Sequence, residues 1–170
     1  MAVAQEANTD TSGRTALLAA CVLVIFLLAM TVTIANVSLP QMQGSLSATR
    51  DQVAWVVTAY LVANAVGLPA TGWLTDRFGS RRLIVWGTIG FSISTLLCAM
   101  APNLETLVLL RAMQGLFGAP VMPLSMALVM AAYPRSQHGM VTSIFGIGVT
   151  IGPIIAPWLG GILTEDYGWR

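Results

Sequence analysis

The sequence predicts an all-α integral membrane protein with five transmembrane helices. Of its 170 residues, 56% are hydrophobic and only 9% are charged, whereas a soluble domain usually carries about 25% charged residues. Too few polar side chains are therefore present to coat a water-facing globule, and a lipid bilayer is the expected solvent. The apolar runs lack the period-two alternation of membrane β-strands, which favours helices.

Five apolar runs, each of about 20 residues or more, make up most of the chain. The breaks between them are short and carry turn-forming residues, so neighbouring helices are expected to be antiparallel. Residues 1–14 are small and polar, and they are predicted to form a disordered cytoplasmic tail ahead of a membrane domain over residues 15–170. The predicted spans are residues 15–39, which Pro40 closes, 52–74, 83–101, 105–132 and 140–163.

The distribution of arginine predicts the orientation of the chain. Two arginines, Arg50 and Arg170, fall on one side of the predicted membrane. The opposite side holds Arg14, Arg77, Arg81, Arg82 and Arg135. Because positive residues are more frequent on the cytoplasmic side, this imbalance places the amino terminus in the cytoplasm.

Several function classes have no support in the sequence. The net charge is +1, which gives no basic surplus for nucleic acid. The two cysteines, Cys21 and Cys98, lie far apart and lack the spacing of a metal site, and no cofactor motif is present. An intramembrane enzyme is disfavoured because the sequence contains no HExxH, no GxSxG and no paired carboxylates.

A glycine- and arginine-rich segment follows the second span. It is predicted to form a tight cytoplasmic turn over Asp76–Arg82. The alternative interpretation is that the segment only anchors the chain on the cytoplasmic side. Such an anchor requires only the arginines, and it explains neither Asp76 nor the spacing of the glycines. The candidate residues of this loop are Gly72, Asp76, Arg77, Gly79, Arg81 and Arg82.

Arg111, within the fourth span, is the most informative single residue. A charged side chain at membrane depth usually faces a cavity or a polar partner. The alternative is snorkelling to the outer surface, since Arg111 lies about 10 Å inside the span at 1.5 Å per residue. Gln114, Gly115 and Gly118 share its helix face, and this combination predicts a close helix crossing beside a water-filled cavity.

Two asparagines also lie at membrane depth. Asn36 in span one and Asn64 in span two are candidate cavity liners, and Tyr60 lies one helical turn from Asn64. The alternative for each asparagine is a hydrogen bond between helices.

The fifth span contains a ridge of small residues. Gly148, Gly152, Ala156 and Gly160 recur every four positions and so share one helix face, which permits close approach of another helix. Plain helix packing accounts for the ridge. It does not account for two added prolines, which are useful where helices rock. The remaining residues of this pattern are Pro153, Pro157 and Gly161.

Four ordered motifs resemble the major facilitator superfamily. The segment 72–82 is similar to its loop G-x-x-x-D-R-x-G-R-R, with Ser80 as a departure, and 107–120 is similar to its span-four pattern. Residues 148–161 resemble the span-five motif of antiporters. Residues 33–40 resemble span one of the fourteen-span drug:proton antiporters, of which the EmrB/QacA type of multidrug exporter is the most similar. Because such transporters have two six-helix halves, the chain is expected to be an amino-terminal fragment.

The resemblance implies a proton-coupled exporter of small amphipathic compounds in the bacterial cytoplasmic (inner) membrane. Its partners would be the lipid bilayer, a small-molecule substrate, the proton and, for this type, a periplasmic adaptor and an outer-membrane channel. The family's span-four arginine, here Arg111, is tied to proton coupling, and the segment 72–82 would act as a gating loop. Thr31 stands where this branch carries an aspartate. Two alternatives stay open: an exporter of an anionic metabolite, and a non-transporting remnant membrane protein.

Overall fold

The computed structural model describes the backbone of residues 2–167 and the side chains of residues 13–165. Over this range the chain is helical and contains no strand, which confirms the predicted fold class. The helices are α1 (Ala2–Ser45), α2 (Arg50–Phe78), α3 (Ser80–Ala99), α4 (Leu104–Gly118), α5 (Val121–Ala132) and α6 (His138–Tyr167), with a 3-10 turn at Arg135–Gln137.

Among the described residues, five stretches are long and apolar enough to cross a membrane. They are Gly13–Ser45, Arg50–Phe78, Ser80–Ala99, Leu104–Ala132 and Arg135–Glu165. Each overlaps one predicted span, and most extend a few residues beyond it, because helices continue into polar sequence until a capping or turn residue ends them. The number and order of the predicted spans are therefore confirmed.

Side-chain caps fix the start of two helices. The Thr49 hydroxyl accepts from the Gln52 backbone N–H at 3.4 Å, and the Gln52 side chain accepts from the Thr49 N–H at 2.9 Å. This reciprocal pair is a capping box at the start of α2. Asn103 caps α4 by accepting from the Thr106 N–H at 2.9 Å. These caps satisfy N–H groups that have no partner within the helix.

Helix α1 differs from the prediction at both ends. It begins at Ala2, so residues 2–14 are helical in the structure rather than an irregular tail, although the part suited to a membrane begins only at Gly13. Pro40 lies inside the helix and does not close it. A proline removes one N–H donor and bends a helix. The helical bonding nevertheless resumes after Pro40, because the Leu46 N–H donates to the Met42 carbonyl at 3.0 Å.

The connection between α2 and α3 is a single residue, Gly79. Its φ of 82° is the left-handed region that favours glycine, and its N–H donates to the Thr75 carbonyl at 2.8 Å. The predicted turn over Asp76–Arg82 is therefore too long. Nothing on either side of Gly79 breaks a helix, so Asp76–Phe78 continue α2 and Ser80–Arg82 begin α3.

The fourth span is divided into α4 and α5, whereas the sequence predicts one uninterrupted span over 105–132. Pro120 has no N–H for the Leu116 carbonyl, and Pro123 has none for the Ala119 carbonyl. Helical bonds persist on either side of the break: the Ala119 N–H donates to the Gly115 carbonyl at 3.0 Å, and the Leu124 N–H donates to the Pro120 carbonyl at 3.2 Å. Two prolines three residues apart thus interrupt the span without ending it.

The helices pack in pairs, and two apolar clusters lie between them. The most extensive contacts are between α1 and α6, between α2 and α4, and between α3 and α4. One cluster joins α1, α5 and α6, and it consists of Leu18, Cys21, Ile25, Val129, Tyr133, Val141 and Phe145. The other lies at the opposite end of α1, and it consists of Met42, Val53, Val56, Cys98, Ala101 and Leu107.

Candidate functional site

A chain of polar side chains connects α4 to α3 around Arg111. The Arg111 side chain is only 7% exposed, and its Nη1 donates to the Gln114 Oε1 at 3.0 Å. Gln114 is 1% exposed, and its Nε2 donates to the Thr95 Oγ1 at 2.6 Å. Thr95 in turn donates to the Phe91 carbonyl at 2.8 Å. This geometry favours an interior partner for Arg111 over snorkelling to the outer surface.

The polar chain borders a cavity of about 220 Å³ between α1, α3 and α4. Thr31 of α1 and Arg111 of α4 both lie on its wall. Other polar or sulfur-containing residues of the wall are Ser38, Met42, Thr95, Cys98 and Gln114. The position that carries an aspartate in the resembled branch therefore opens onto the same space as the buried arginine.

Arg111 has a neutral partner and no described acid near it. Its Nε is buried and has no hydrogen-bond partner. Among the described side chains, the carboxylates lie near helix ends, at Asp51, Asp76, Glu105 and Glu165. A buried charge is costly unless a counter-charge or several hydrogen bonds compensate it. The cavity wall thus carries an uncompensated positive charge within the described part of the chain.

Gly115 and Gly118 form the close crossing of α4 with its neighbours. A Cβ added at Gly115 would collide with the Tyr60 carbonyl oxygen and lie 3.1 Å from the Ala63 Cβ. A Cβ added at Gly118 would lie 3.2 Å from the Phe91 ring. The two predicted glycines therefore lie at the close helix crossing that the sequence predicts. Helix α4 approaches α2 this closely only because residue 115 has no side chain.

The two asparagines lie away from the Arg111 cavity. The Asn64 Nδ2 donates to the Gly115 carbonyl at 3.3 Å, which is the hydrogen bond between helices that the sequence left open as the alternative. Asn36 is exposed, and its side chain donates to the Val32 carbonyl of its own helix at 3.2 Å. Neither residue lines the Arg111 cavity, and their role as liners of a substrate cavity stays a prediction.

The predicted gating-loop residues lie together around Gly79, and all of them are exposed. The guanidinium carbon of Arg77 lies 6.0 Å from the ring centroids of both Trp73 and Phe78, at the edge of cation–π range. The rings of Phe78 and Trp86 are 5.6 Å apart. Arginines beside aromatic rings are typical of a membrane interface. None of these residues lines the Arg111 cavity.

The small-residue ridge of α6 packs against α1. Gly148, Gly152, Ala156 and Gly160 are all buried. A Cβ added at Gly152 would lie 3.0 Å from the Phe26 carbonyl oxygen. Pro153 and Pro157 are exposed within a continuous helix, and Gly161 has open space around it. The ridge therefore serves helix packing, and the prolines face away from that contact.

Thr95 is the one polar member of the network that the sequence does not predict. It lies in the third span among other hydroxyl residues, Ser92 and Ser94, each of which donates to the carbonyl four positions earlier. Such local bonding is common for serine and threonine in helices. Only the packing of α3 against α4 distinguishes Thr95 from its neighbours, so no signal in the sequence identifies it.

Comparison with known proteins shows one consistent family. The model of the Major Facilitator Superfamily matches residues 21–170. The multidrug export protein EmrB of Haemophilus influenzae is 40% identical over 147 residues, which is 86% of this chain and 29% of that protein. The fatty acid resistance protein FarB of Neisseria gonorrhoeae is 39% identical over 147 residues, with the same two coverages. EmrB of Escherichia coli K12 is 36% identical over the same length.

The chain spans about 29% of the length of these curated relatives. The matching region contains all four motifs on which the resemblance rests. The family indicated by the sequence is therefore confirmed: this multi-pass membrane protein belongs to the major facilitator superfamily of transporters.

Proposed function

We propose that this chain provides part of the substrate path of a proton-coupled exporter of small amphipathic compounds in the bacterial cytoplasmic membrane. The observation that supports this most directly is the buried Arg111–Gln114–Thr95 network on the wall of a cavity between three membrane helices. Ionisable residues at membrane depth are typical of substrate and ion pathways. The relatives named for multidrug export and fatty acid resistance support the direction of transport and an amphipathic substrate.

Proton coupling needs a titratable acid near the substrate path. The wall of the cavity carries Thr31 where the resembled branch has an aspartate, and the described acids lie near helix ends. The proposal therefore places the titrating group outside the described residues. The periplasmic adaptor and outer-membrane channel implied by the resemblance belong to the proposal as partners of the assembled exporter.

A chimera tests the export function. Residues 1–170 of this chain are joined to the part of Haemophilus influenzae EmrB that follows its aligned segment. In efflux-deficient bacteria we expect the chimera to lower the accumulation of ethidium, with loss of the effect when an uncoupler collapses the proton gradient. The matched control carries the corresponding segment of Escherichia coli EmrB. A control that exports, beside an equally expressed chimera that does not, would refute the proposal.

The 170-residue chain by itself is expected to give neither drug resistance nor proton flux. Alternating access in this fold needs two opposed halves with the binding site between them, and the described part of the chain supplies five spans. The measurement is substrate and proton flux in proteoliposomes containing the purified chain. Efflux that disappears in Arg111→Ala would contradict this expectation and would show that copies of the chain assemble into a complete carrier.

Cysteine labelling tests the proposed orientation. Single cysteines replace Ser80, Ser136 or Ser47 in a chain that lacks Cys21 and Cys98. Ser80 follows the α2–α3 turn, Ser136 lies between α5 and α6, and Ser47 lies between α1 and α2. With the amino terminus in the cytoplasm, an impermeant maleimide should reach position 47 in intact cells. It should reach 80 and 136 only in inverted vesicles, and the opposite pattern would reverse the topology.

A further inference from the structure

We propose that Thr95 is a positioning residue, which fixes the direction of the Gln114 amide and, through it, the direction of the Arg111 guanidinium. This role rests on the proposed export function, because it concerns the arginine on the wall of the candidate substrate path. Within the described residues the guanidinium donates one hydrogen bond, to the Gln114 Oε1 at 3.0 Å, and its Nε has no partner. The direction of this buried charge therefore depends on a single amide oxygen.

The amide of Gln114 has two possible orientations, because a half-turn about its last side-chain bond exchanges the oxygen and the nitrogen. A guanidinium carries only N–H donors, so only the amide oxygen can bind Arg111. Gln114 lies three residues after Arg111 on the same helix face, and this spacing brings the two side chains together without selecting either orientation. The contact at the opposite end of the amide therefore makes the selection.

Thr95 provides that contact, and its own hydroxyl proton is already used. The Thr95 Oγ1 donates to the Phe91 carbonyl at 2.8 Å, so a lone pair faces Gln114 and accepts from its Nε2 at 2.6 Å. A reversed amide would place its oxygen against this lone pair and its NH2 group against the donors of Arg111. Thr95 could bind a reversed amide only by giving up its bond to Phe91. The observed orientation is therefore the stable one.

The packing of α3 on α4 anchors this chain of hydrogen bonds. Phe91, whose carbonyl accepts from Thr95, is buried, and its ring lies 3.2 Å from the position of a Cβ added at Gly118 of α4. Gln114 is also buried, and a buried donor that loses its acceptor is costly. The position of α3 is thus transmitted through Thr95 and Gln114 to a charge on α4.

Nuclear magnetic resonance of the guanidinium tests this role without transport. The full chain carries isotope-labelled arginine in phosphatidylcholine nanodiscs, and the Arg111 signal is identified by its loss in Arg111→Lys. The rate at which the guanidinium protons exchange with deuterium measures how firmly the group is held. We expect Thr95→Val to raise this rate by about tenfold, because the Gln114 amide loses its acceptor and can reverse. Thr95→Ser keeps the acceptor and should stay within about twofold of the wild-type rate.

The matched control is Thr88→Val, which makes the same substitution on the same helix. The Thr88 Oγ1 is buried and has no hydrogen-bond partner, so its removal leaves no group unpaired and should not change exchange at Arg111. Thr95→Ala removes the same acceptor as Thr95→Val with a smaller side chain, and it should also accelerate exchange. Equal rates in Thr95→Val and Thr88→Val, or loss of protection in Thr95→Ser, would overturn the assignment of Thr95.

A double-mutant comparison shows whether Thr95 acts through Gln114. Gln114→Met removes the amide, keeps an unbranched side chain and should accelerate exchange at Arg111 by itself. Adding Thr95→Val to Gln114→Met should then cause no further change. A further acceleration as large as that in the chain with Gln114 intact would refute the relay. Because no transport is measured, this outcome and the ethidium efflux of the chimera are independent of each other.

Discussion

Replacing Gly115 with leucine is expected to destabilise the protein by about 1–3 kcal/mol or more, because overpacking a close contact forces backbone shifts. At this position even a Cβ would collide with the backbone carbonyl of Tyr60, and the Ala63 Cβ and Asn64 N would each lie 3.1 Å from it. A flexible side chain moves aside at low cost, but a carbonyl inside α2 moves only with its helix. Separation of α2 from α4 would also break the Asn64–Gly115 hydrogen bond.

The matched control is Gly161→Leu. Gly161 is also a helical glycine inside a candidate span, but no atom lies within 4 Å of its added Cβ. Both substitutions change helix propensity alike, so the difference between them isolates the collision. Thermal unfolding of the purified chain in detergent, followed by circular dichroism, should give a clearly lower midpoint for Gly115→Leu than for Gly161→Leu. Equal midpoints would show that the α2–α4 crossing is not close.

The main features of the fold follow from the sequence because hydropathy and turn residues determine the spans. Apolar runs of about 20 residues have no alternative to helices in lipid, since every backbone group must bond within the segment. The structure differs from the predicted spans at single residues, such as proline, that can either stay within a helix or divide it. Pro40 lies in an unbroken helix, whereas Pro120 and Pro123 together divide the fourth span. Pro153 and Pro157 leave α6 continuous, so the effect of a proline depends on its surroundings as well as on its missing N–H.

The candidate site was predicted only in part, for a related reason. Arg111, Gln114 and Gly115 share one helix face, and a single helix periodicity reveals them. Thr95, which accepts from Gln114, and Thr31, which lines the same cavity, come from two other helices. Contacts of this kind depend on how neighbouring helices are rotated about their axes. The sequence of one helix does not determine the rotation of its neighbours. The same limit applies to Asn36, whose exposed side chain donates to a carbonyl of its own helix.

The second large effect is expected at Arg111, measured in the chimera with Haemophilus influenzae EmrB. Hydrogen bonds to a charged group contribute about 1.5–3 kcal/mol, so Arg111→Ala should lower substrate flux by about ten- to a hundredfold if the guanidinium acts in transport. Arg111→Lys keeps the positive charge but loses the planar donor geometry, and its flux should be intermediate. Equal flux in all three proteins, at equal expression, would assign Arg111 to structure alone.

Thr31→Asp in the same chimera separates coupling from substrate binding. Thr31 and Arg111 share one cavity wall, so the new carboxylate would pair with the guanidinium. We expect ethidium export to rise and transport to depend more strongly on the pH gradient, whereas Thr33→Asp, outside that wall, should leave both near wild type. Flux is measured at a fixed membrane potential, with and without a pH gradient. If Thr31→Asp changes neither quantity, position 31 serves packing only, and the proton site lies elsewhere.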